Sequence, residues 1–235
     1  MKVRGQRECR ECGGRWSYYE TGSVACPACG SLRSVGVGER ALHTDAPVEL
    51  DLTTYRDAAD EDALAAHADD LKSDLRRYVH RRGFVDGGDL EPLDDAFLVA
   101  HELKHAVDVY ARSRDPSDDE RLYVFDLLRG ADAGERPAPD RVPEGMEAAR
   151  GLGYARALDD YRRDVASWLD EHPDDAARRT LGTLDERVKR IEALQGEVAP
   201  AEVERLVSAA REVGEYLAGE ESALARAQSR LATER

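Results

Sequence analysis

The hydrophobic pattern divides the chain into two parts with different periods. In residues 1 to about 40, short segments such as RWSYYE and LRSVGV are separated by glycine-rich turns, which is typical of short β-strands. From about residue 60 onward, apolar residues recur every three or four positions, which predicts amphipathic helices. The stretch between them, residues 41–59, shows neither period and is predicted to be an extended connector.

Proline, glycine and capping residues predict where the helices of the second part begin and end. A first helix is expected over residues 61–82, where a glycine follows. A second is expected over residues 92–113, with proline in its first turn. Ser117 and Glu120 have the spacing of a capping box and predict the start of a third helix.

The remaining helices complete the predicted fold class. A long helix carries an apolar stripe that begins at Tyr154, and Pro173 starts the next segment, which is either one helix or two pieces broken near Gly182. Pro200 opens the last main helix, and the Ala- and Arg-rich tail is predicted to fray. The chain is therefore predicted to be mainly α, with a small N-terminal β unit followed by an all-α bundle of about five to six helices in residues 60–235.

The composition is acidic and rich in arginine. The 235 residues carry a formal charge of −15, and 30 of the 34 basic residues are Arg. High net charge keeps a protein in solution in concentrated salt, so this composition favours a halophilic, haloarchaeal protein over an acidic protein from a GC-rich genome. The first residues, MKVRGQRECREC, lack the apolar segment of a secretory signal, and no apolar run approaches about 20 residues. The sequence therefore predicts a cytoplasmic protein without a membrane span.

The strongest chemical signal is a pair of C-x-x-C motifs. Cys9 and Cys12 form the first, Cys26 and Cys29 form the second, and thirteen residues separate them. Each motif places two sulfurs on one tight turn, so that four thiolates can surround one structural Zn²⁺. Two disulfides or four free thiols are the alternatives, and a reducing compartment disfavours the disulfides. We expect one structural zinc ion, whose binding supplies the folding free energy that so small a unit lacks.

The residues around these motifs carry a family resemblance. With CG after the first pair and CPACGS at the second, they resemble the zinc ribbon of archaeal transcription initiation factor B over about 35 residues. The whole chain is also similar to uncharacterised haloarchaeal proteins that contain a zinc ribbon of this type. The resemblance implies that the four cysteines are metal ligands, and it does not imply an activity.

A second motif competes for metal chemistry. His101, Glu102 and His105 match the HExxH signature of zinc peptidases, in the stretch HELKH. On a helical projection both histidines lie opposite the apolar arc, Lys104 occupies a position that the signature usually keeps uncharged, and no third ligand follows. We therefore predict an exposed helix face on which Glu102→Gln leaves stability nearly unchanged. A second metal site at His101 and His105 is the alternative.

Charge separates the N-terminal unit from the rest of the chain. Residues 1–40 contain seven basic and four acidic residues, so the unit is +3, or about +1 with zinc and four thiolates, while the remainder is −18. Basic and aromatic side chains together can bind nucleic acid, although we favour the interpretation that the aromatic residues pack the small sheet. The candidate partner-binding residues are Arg10, Arg15, Trp16 and Arg33.

These observations favour three functions in descending order. The first is a non-enzymatic zinc-ribbon adaptor or scaffold that binds a protein partner. The second is a transcription- or nucleic-acid-associated factor that uses the ribbon to contact nucleic acid or polymerase. The third is a metallohydrolase at HELKH. The oligomeric state is left open.

Overall fold

Three antiparallel strands and a one-turn helix make up the N-terminal unit of the computed structural model, which describes residues 1–61 and 63–232. The strands and the helix are β1 (Lys2–Cys9), β2 (Arg15–Ser17), α1 (Tyr18–Thr21) and β3 (Ser34–Leu42). The central strand is β1, which pairs with β2 on one side and with β3 on the other. We call this unit the ribbon. Its sheet continues to Leu42, two residues beyond the boundary expected from the sequence.

A bulge in β3, opposite Gly5, interrupts the pairing of β1 with β3. Arg4 lies directly opposite Arg40, and two residues further along β1 the pairing has shifted by one position on β3. The ring of Tyr19 covers Gly5, where a Cβ would lie 2.2 Å from a ring carbon. Only glycine allows this close approach of the ring to the strand.

Helices dominate the chain after the ribbon, as predicted. In the described residues they are α2 (Thr53–Asp60), α3 (Ala68–Arg81), α4 (Asp95–Arg112), α5 (Asp118–Gly130), α6 (Glu147–Trp168), α7 (Asp175–Ala193), α8 (Pro200–Leu217) and α9 (Ala223–Ala232). A two-stranded hairpin, β4 (Val85–Asp86) and β5 (Asp89–Leu90), precedes α4. Short 3₁₀ turns lie at Leu64–His67, Ala131–Ala133, Pro139–Arg141 and Glu144–Met146. The fold class is thus confirmed. Among the described residues, none of the helices combines the length and the hydrophobicity that a membrane span requires.

The predicted connector is only partly extended. Its last part folds as α2, whose first turn is held by Asp51 Oδ1 accepting from the N–H of Thr53 at 3.0 Å. The helix buries Tyr55, Ala58 and Ala59, and an eight-residue helix is too short for its period to stand out in the sequence. The expected count of five to six helices is also too low, since seven follow α2 in the described residues. Residues 62 and 233–235 of the predicted bundle lie outside the described residues.

Helix boundaries agree with the sequence where a capping side chain determines them. Ser117 and Glu120 form the predicted capping box, and α8 begins at Pro200. The second predicted helix starts later than Pro92, because Asp94 caps α4 by accepting from the N–H of Phe97 at 2.7 Å. Of the two alternatives for the segment after Pro173, the structure has the single helix, since the buried stripe of α7 runs past Gly182 without a break.

The tail forms a packed helix rather than frayed chain. α9 lies against α8 and α7 and buries Ala223, Ala227 and Leu231. Gln228 Nε2 also donates to Thr180 Oγ1 of α7 at 3.2 Å. Its small apolar residues at four-residue spacing were sufficient to dock the helix, a pattern that the Ala- and Arg-rich composition obscures.

The centre of the bundle is α4. It packs against α3, α5 and α6, so that residues 97–103 are buried without interruption. The approach of α6 is close because Gly153 lies at the crossing, where a Cβ would be 2.6 Å from the Cα of Glu102. A helix that is enclosed on several sides has no exposed face at its midpoint. His101 and Glu102 of HELKH are therefore buried.

The ribbon joins the bundle through the residues that follow β3. His43 Nδ1 accepts from the N–H of Gly87 at 3.3 Å, and its ring lies 4.4 Å from the ring of Tyr19. Thr44 Oγ1 donates to Asp164 Oδ2 of α6 at 2.6 Å. These contacts tie α1, the β4–β5 hairpin and α6 together at one junction.

Candidate functional site

The four cysteine sulfurs lie at one end of the ribbon and form the one group of potential metal ligands found among the described residues. All four Sγ atoms lie within 4.8 Å of one another. The Cys9–Cys29 distance is 3.7 Å and the Cys12–Cys26 distance is 3.6 Å. A tetrahedron with Zn–S bonds of about 2.3 Å has edges of about 3.8 Å, so these distances fit a single Zn²⁺. None of the cysteines is in a disulfide.

Both C-x-x-C motifs fold as the same backbone turn. In the first, the N–H of Gly13 donates to the carbonyl of Cys9 at 3.1 Å, and in the second the N–H of Gly30 donates to the carbonyl of Cys26 at 2.8 Å. The two glycines have φ of 73° and 72°, in the left-handed region. A Cβ at either glycine would meet no atom within 4 Å, so backbone conformation alone calls for glycine there.

Backbone N–H groups give the sulfur cluster its electrostatic character. Those of Cys12 and Glu11 lower the pKa of the Cys9 thiol to about 7, with the Glu11 N–H 3.4 Å from Sγ. At Cys29 the backbone of Ser31 also lowers the pKa, but the neighbouring thiols outweigh it and raise the pKa to about 12. Four thiols this close cannot all lose their protons unless a cation between them offsets the repulsion of the thiolates. Because the thiolate is the form that binds metal, a bound metal ion would supply that cation.

Trp16 packs the ribbon interior and is not a surface residue. It is 7% exposed, clusters with Cys9 and Cys26, and donates from Nε1 to the carbonyl of Ser23 at 3.0 Å. The sequence-based candidacy of Trp16 as a partner-binding residue is therefore wrong. In so small a sheet, Trp16 is the large side chain that packs against Cys9 and Cys26.

The three candidate arginines are all on the ribbon surface, and two of them are paired. Arg15 lies 2.7 Å from Glu8, and Arg33 lies 2.7 Å from Glu11. Arg10 is exposed and makes no side-chain hydrogen bond or ion pair with the residues that the structure describes. The structure does not bring these side chains together into one surface pocket.

Sequence reasoning missed a basic groove on the ribbon. It has a volume of about 410 Å³ and lies across β1 and β3. Its lining combines the basic residues Lys2, Arg4, Arg7 and Arg40 with Met1, Val3, Tyr18, Val24 and Gly36. Arg4 and Arg7 of β1 come together with Arg40 of β3 only when the two strands pair, and the spacing of basic residues along the chain does not reveal that pairing. We refer to these residues as the ribbon groove.

The first three residues of HELKH are buried and Lys104 and His105 are half-buried, contrary to the prediction of an exposed helix face. His101 is 2% exposed and Glu102 is not exposed at all. The helical projection identified only the apolar arc, whereas α6 closes over the opposite side of α4 through Gly153. His101, His105 and nearby carboxylates do not form a cluster with metal-ligand spacing in the described part of the chain.

Glu102 belongs to an interior ion pair. Its Oε1 accepts from Arg150 Nε at 2.8 Å and from the hydroxyl of Tyr123, and neither charged side chain is exposed. Arg150 also donates from Nη2 to the carbonyl of Pro137 at 2.7 Å and lies over the ring of Tyr154. The pair links α4 to α6, so the position that would hold the catalytic base of a peptidase is used for packing here.

Comparisons with known proteins place the chain in a family. No curated protein and no solved structure matches it. A family model, described as a family of unknown function, matches residues 1–231, which is nearly the whole chain. The match therefore covers both the ribbon with its cysteine cluster and the helices that follow, and the chain belongs to the family of unknown function DUF7117.

Proposed function

We propose that this chain is a non-enzymatic zinc-ribbon adaptor that docks a protein partner through the ribbon groove. The acidic, arginine-rich composition supports a halophilic, archaeal and cytoplasmic setting for it. The proposal has two parts, a structural zinc ion that holds the ribbon together and a basic surface that recognises an acidic segment of the partner. Each part has its own test.

The geometry and donor chemistry of the cysteine cluster support zinc as the metal. Cys9, Cys12, Cys26 and Cys29 would supply four thiolates, the ligand set of closed structural zinc sites. Such a shell leaves no position for water, so the ion would contribute folding free energy and would not activate a nucleophile. Apart from the cysteines, the buried cluster at this end of the ribbon contains Trp16.

Metal analysis tests the zinc. Protein purified without added zinc is expected to carry about one equivalent, and Cys9→Ser is expected to lose it, because three thiolates bind far more weakly than four. Arg10→Ser, on the same turn but outside the cluster, serves as the control and should keep the metal. Far-ultraviolet circular dichroism of Cys9→Ser should still show the helical bundle. Wild-type protein without metal, or Cys9→Ser with a full equivalent, would reject this part.

The observation that carries the partner proposal is a pair of like charges on neighbouring strands. Arg4 and Arg40 lie directly opposite each other on β1 and β3, and both line the ribbon groove. Like charges in this arrangement destabilise a sheet unless an anion lies between them. Of the groove's basic side chains, Lys2 is 3.1 Å from Glu171, whereas no ion pair to Arg4 or Arg40 is found in the described residues. An acidic group from a partner would relieve the repulsion.

The rest of the groove favours a protein segment over nucleic acid. Val24 is 45% exposed and Met1 is 79% exposed, so apolar side chains of a partner would find contacts beside the arginines. Trp16, which could have stacked on a base, is buried. The charge of −18 outside the ribbon also repels a long polyanion more than it repels a short acidic peptide.

Charge reversal in the groove tests the partner. Full-length zinc-loaded protein with a photo-crosslinker at Val24 is expected to capture a protein at native salt, and Arg4→Glu with Arg40→Glu should abolish that capture. Arg112→Glu with Arg179→Glu, which reverses two exposed arginines of the bundle, is the matched control and should capture as the wild type does. If the groove variant loses a cross-linked nucleic acid instead of a protein, the chain is better described as a nucleic-acid-associated factor. If both variants capture the protein equally, the ribbon groove is not the docking surface.

The non-enzymatic part of the proposal rests on the environment of Glu102. A peptidase base must reach a metal-bound water, but Glu102 is held by Arg150 and Tyr123 and has no exposed surface. A casein or peptide cleavage assay that is sensitive to chelator and to Glu102→Gln in the folded protein would reverse this conclusion in favour of a metallohydrolase.

A further inference from the structure

An open cleft of about 400 Å³ lies where α4, α6 and the turn between α3 and β4 meet. It is distant in the chain from the cysteine cluster and shares no residue with the ribbon groove. Two residues of HELKH, His101 and Lys104, line this cleft. The ion pair explains why Glu102 is in the motif, and the cleft gives these two neighbouring residues a role of their own. The volume lies within the range of small-molecule sites.

Four cationic side chains line the cleft, Arg82, Lys104, Arg156 and Arg163, together with the carboxylates of Asp160 and Asp164. The three arginines have acidic partners within the protein. Arg82 lies 3.1 Å from Asp45 and from Asp94, Arg156 lies 2.8 Å from Glu192, and Arg163 lies 2.9 Å from Asp160. The contribution of the cleft to anion binding therefore depends on Lys104.

Both carboxylates of the cleft are engaged by groups of the protein. Asp164 Oδ2 accepts from Thr44 Oγ1 at 2.6 Å and from the N–H of Phe84 at 2.8 Å. Asp160 Oδ1 lies 2.9 Å from Arg163. These contacts fix the carboxylates against the wall and leave the cleft open.

Lys104 is the cation of the cleft that lacks a partner. No hydrogen bond or ion pair to its ammonium group is found among residues 1–61 and 63–232, although the side chain is half-buried. Burial, together with Arg156 and Arg76, lowers the pKa of Lys104 despite the opposing effect of Asp160. A half-buried ammonium without a counter-ion is costly, and an anion in the cleft would offset that cost.

His101 adds an unsatisfied neutral group to the same wall. Its ring is 2% exposed, and neither nitrogen has a hydrogen-bond partner in the described residues. Nε2 lies 3.4 Å from Asp160 Oδ2, but the contact lacks hydrogen-bond geometry. Buried polar atoms are nearly always paired, so a lone nitrogen at a cleft indicates a missing partner.

We propose that this cleft binds a small molecule through a phosphate group, with Lys104 as the main counter-charge and Arg156 and Arg163 at the rim. Arginine and lysine side chains are the usual partners of phosphate oxygens, and the several oxygens of one phosphate group can accept from the Lys104 ammonium and from a ring N–H of His101 at the same time. The two fixed carboxylates and the small volume disfavour a polymer. This site is independent of the zinc-ribbon adaptor and of its partner.

Titration with inorganic phosphate tests the site on full-length, zinc-loaded protein. Isothermal titration calorimetry and thermal unfolding are carried out at constant ionic strength, with acetate and chloride as comparison anions. Phosphate is expected to bind and to raise the unfolding temperature progressively, as a ligand specific to the native state must. Lys104→Gln should weaken phosphate binding at least tenfold and still fold, because Lys104 makes no contact that the fold depends on.

Lys189→Gln is the matched control, since Lys189 is an exposed lysine of α7 outside the cleft. It should bind phosphate as the wild type does. Equal phosphate affinity in the Lys104 and Lys189 variants, absence of phosphate binding, or acetate binding as strong as phosphate binding would each overturn the assignment.

Discussion

The Glu102–Arg150 pair illustrates how a single buried charge constrains this protein. Neither side chain reaches solvent, and their 2.8 Å contact joins α4 to α6. Glu102 Oε2 and Arg150 Nη1 have no partner in the described residues, so the desolvation of both ions is only partly offset. A pair of this kind contributes little net stability, but the loss of one member leaves the other charge buried alone.

Glu102→Gln is therefore expected to destabilise the protein by about 3 kcal/mol, since the neutral amide leaves the Arg150 guanidinium without a counter-ion. This reverses the expectation from the sequence, which placed Glu102 on an exposed face. Urea unfolding followed by circular dichroism measures the change. Glu186→Gln, the same substitution at an exposed position of α7, should leave the free energy of unfolding within about 0.5 kcal/mol.

A double variant separates charge from shape. Glu102→Leu with Arg150→Met removes both ions, and it should be less destabilised than the sum of the two single changes, because no buried charge remains. If Glu102→Gln unfolds at the same urea concentration as the wild type, the ion pair does not have the role described here.

At the scale of elements, two helical glycines have opposite surroundings, one at a tight helix crossing and one on an open surface. Gly153 of α6 lies against the backbone of α4, where a Cβ would be 2.6 Å from Glu102 Cα and 2.8 Å from its nitrogen. Gly182 of α7 is exposed, and a Cβ there would meet nothing within 4 Å. Both are in helix interiors, where glycine is a poor helix former.

Alanine at these two positions should therefore act in opposite directions. Gly182→Ala is expected to stabilise the protein by up to about 1 kcal/mol through helix propensity. Gly153→Ala gains the same propensity but forces α4 and α6 apart, and overpacking of about 1–3 kcal/mol should leave it net destabilised. Thermal unfolding of the two variants side by side gives the answer. A more stable Gly153→Ala protein would show that the two helices separate without cost.

Features set by neighbours in sequence could be predicted, and features set by neighbours in space could not. The turns at Cys9–Gly13 and Cys26–Gly30, the capping box at Ser117 and the proline start of α8 each depend on a few consecutive residues. The burial of HELKH depends on α6 reaching α4 through Gly153, some fifty residues later in the chain. The ribbon groove similarly depends on the register of β1 against β3, which no local pattern encodes.

For the molecule as a whole, the buried histidines couple stability to pH. Burial, together with Lys104 and His101, lowers the pKa of His105 from 6.5 to about 4. Burial also lowers the pKa of His101. Above pH 6.5 His105 is neutral in both the folded and the unfolded state, whereas between pH 6.5 and about 4 the unfolded state alone gains the proton. Stability from this residue is thus complete above pH 6.5 and is lost as the pH falls toward 4.

The free energy of unfolding is accordingly expected to fall on acidification through this window, with His105 contributing on the order of 2 kcal/mol. His105→Gln should flatten the dependence by that amount. His172→Gln, which replaces an exposed histidine after α6, is the matched control and should keep the pH dependence of the wild type. Urea unfolding at a series of pH values compares the three proteins, and identical slopes for all of them would contradict the assignment to His105.

The junction after β3 has a consequence for multivalent binding. Thr44 donates to Asp164 and accepts from the N–H groups of Phe84 and Val85, so the chain leaving the ribbon is fastened to α6 and to the hairpin at once. A binding unit on a flexible linker samples many positions, so its effective concentration at a second binding surface is low. A unit that is fixed in place has a high effective concentration there. A partner that touches both the ribbon and the bundle would therefore meet two surfaces at a preset separation, and its avidity would depend on Thr44.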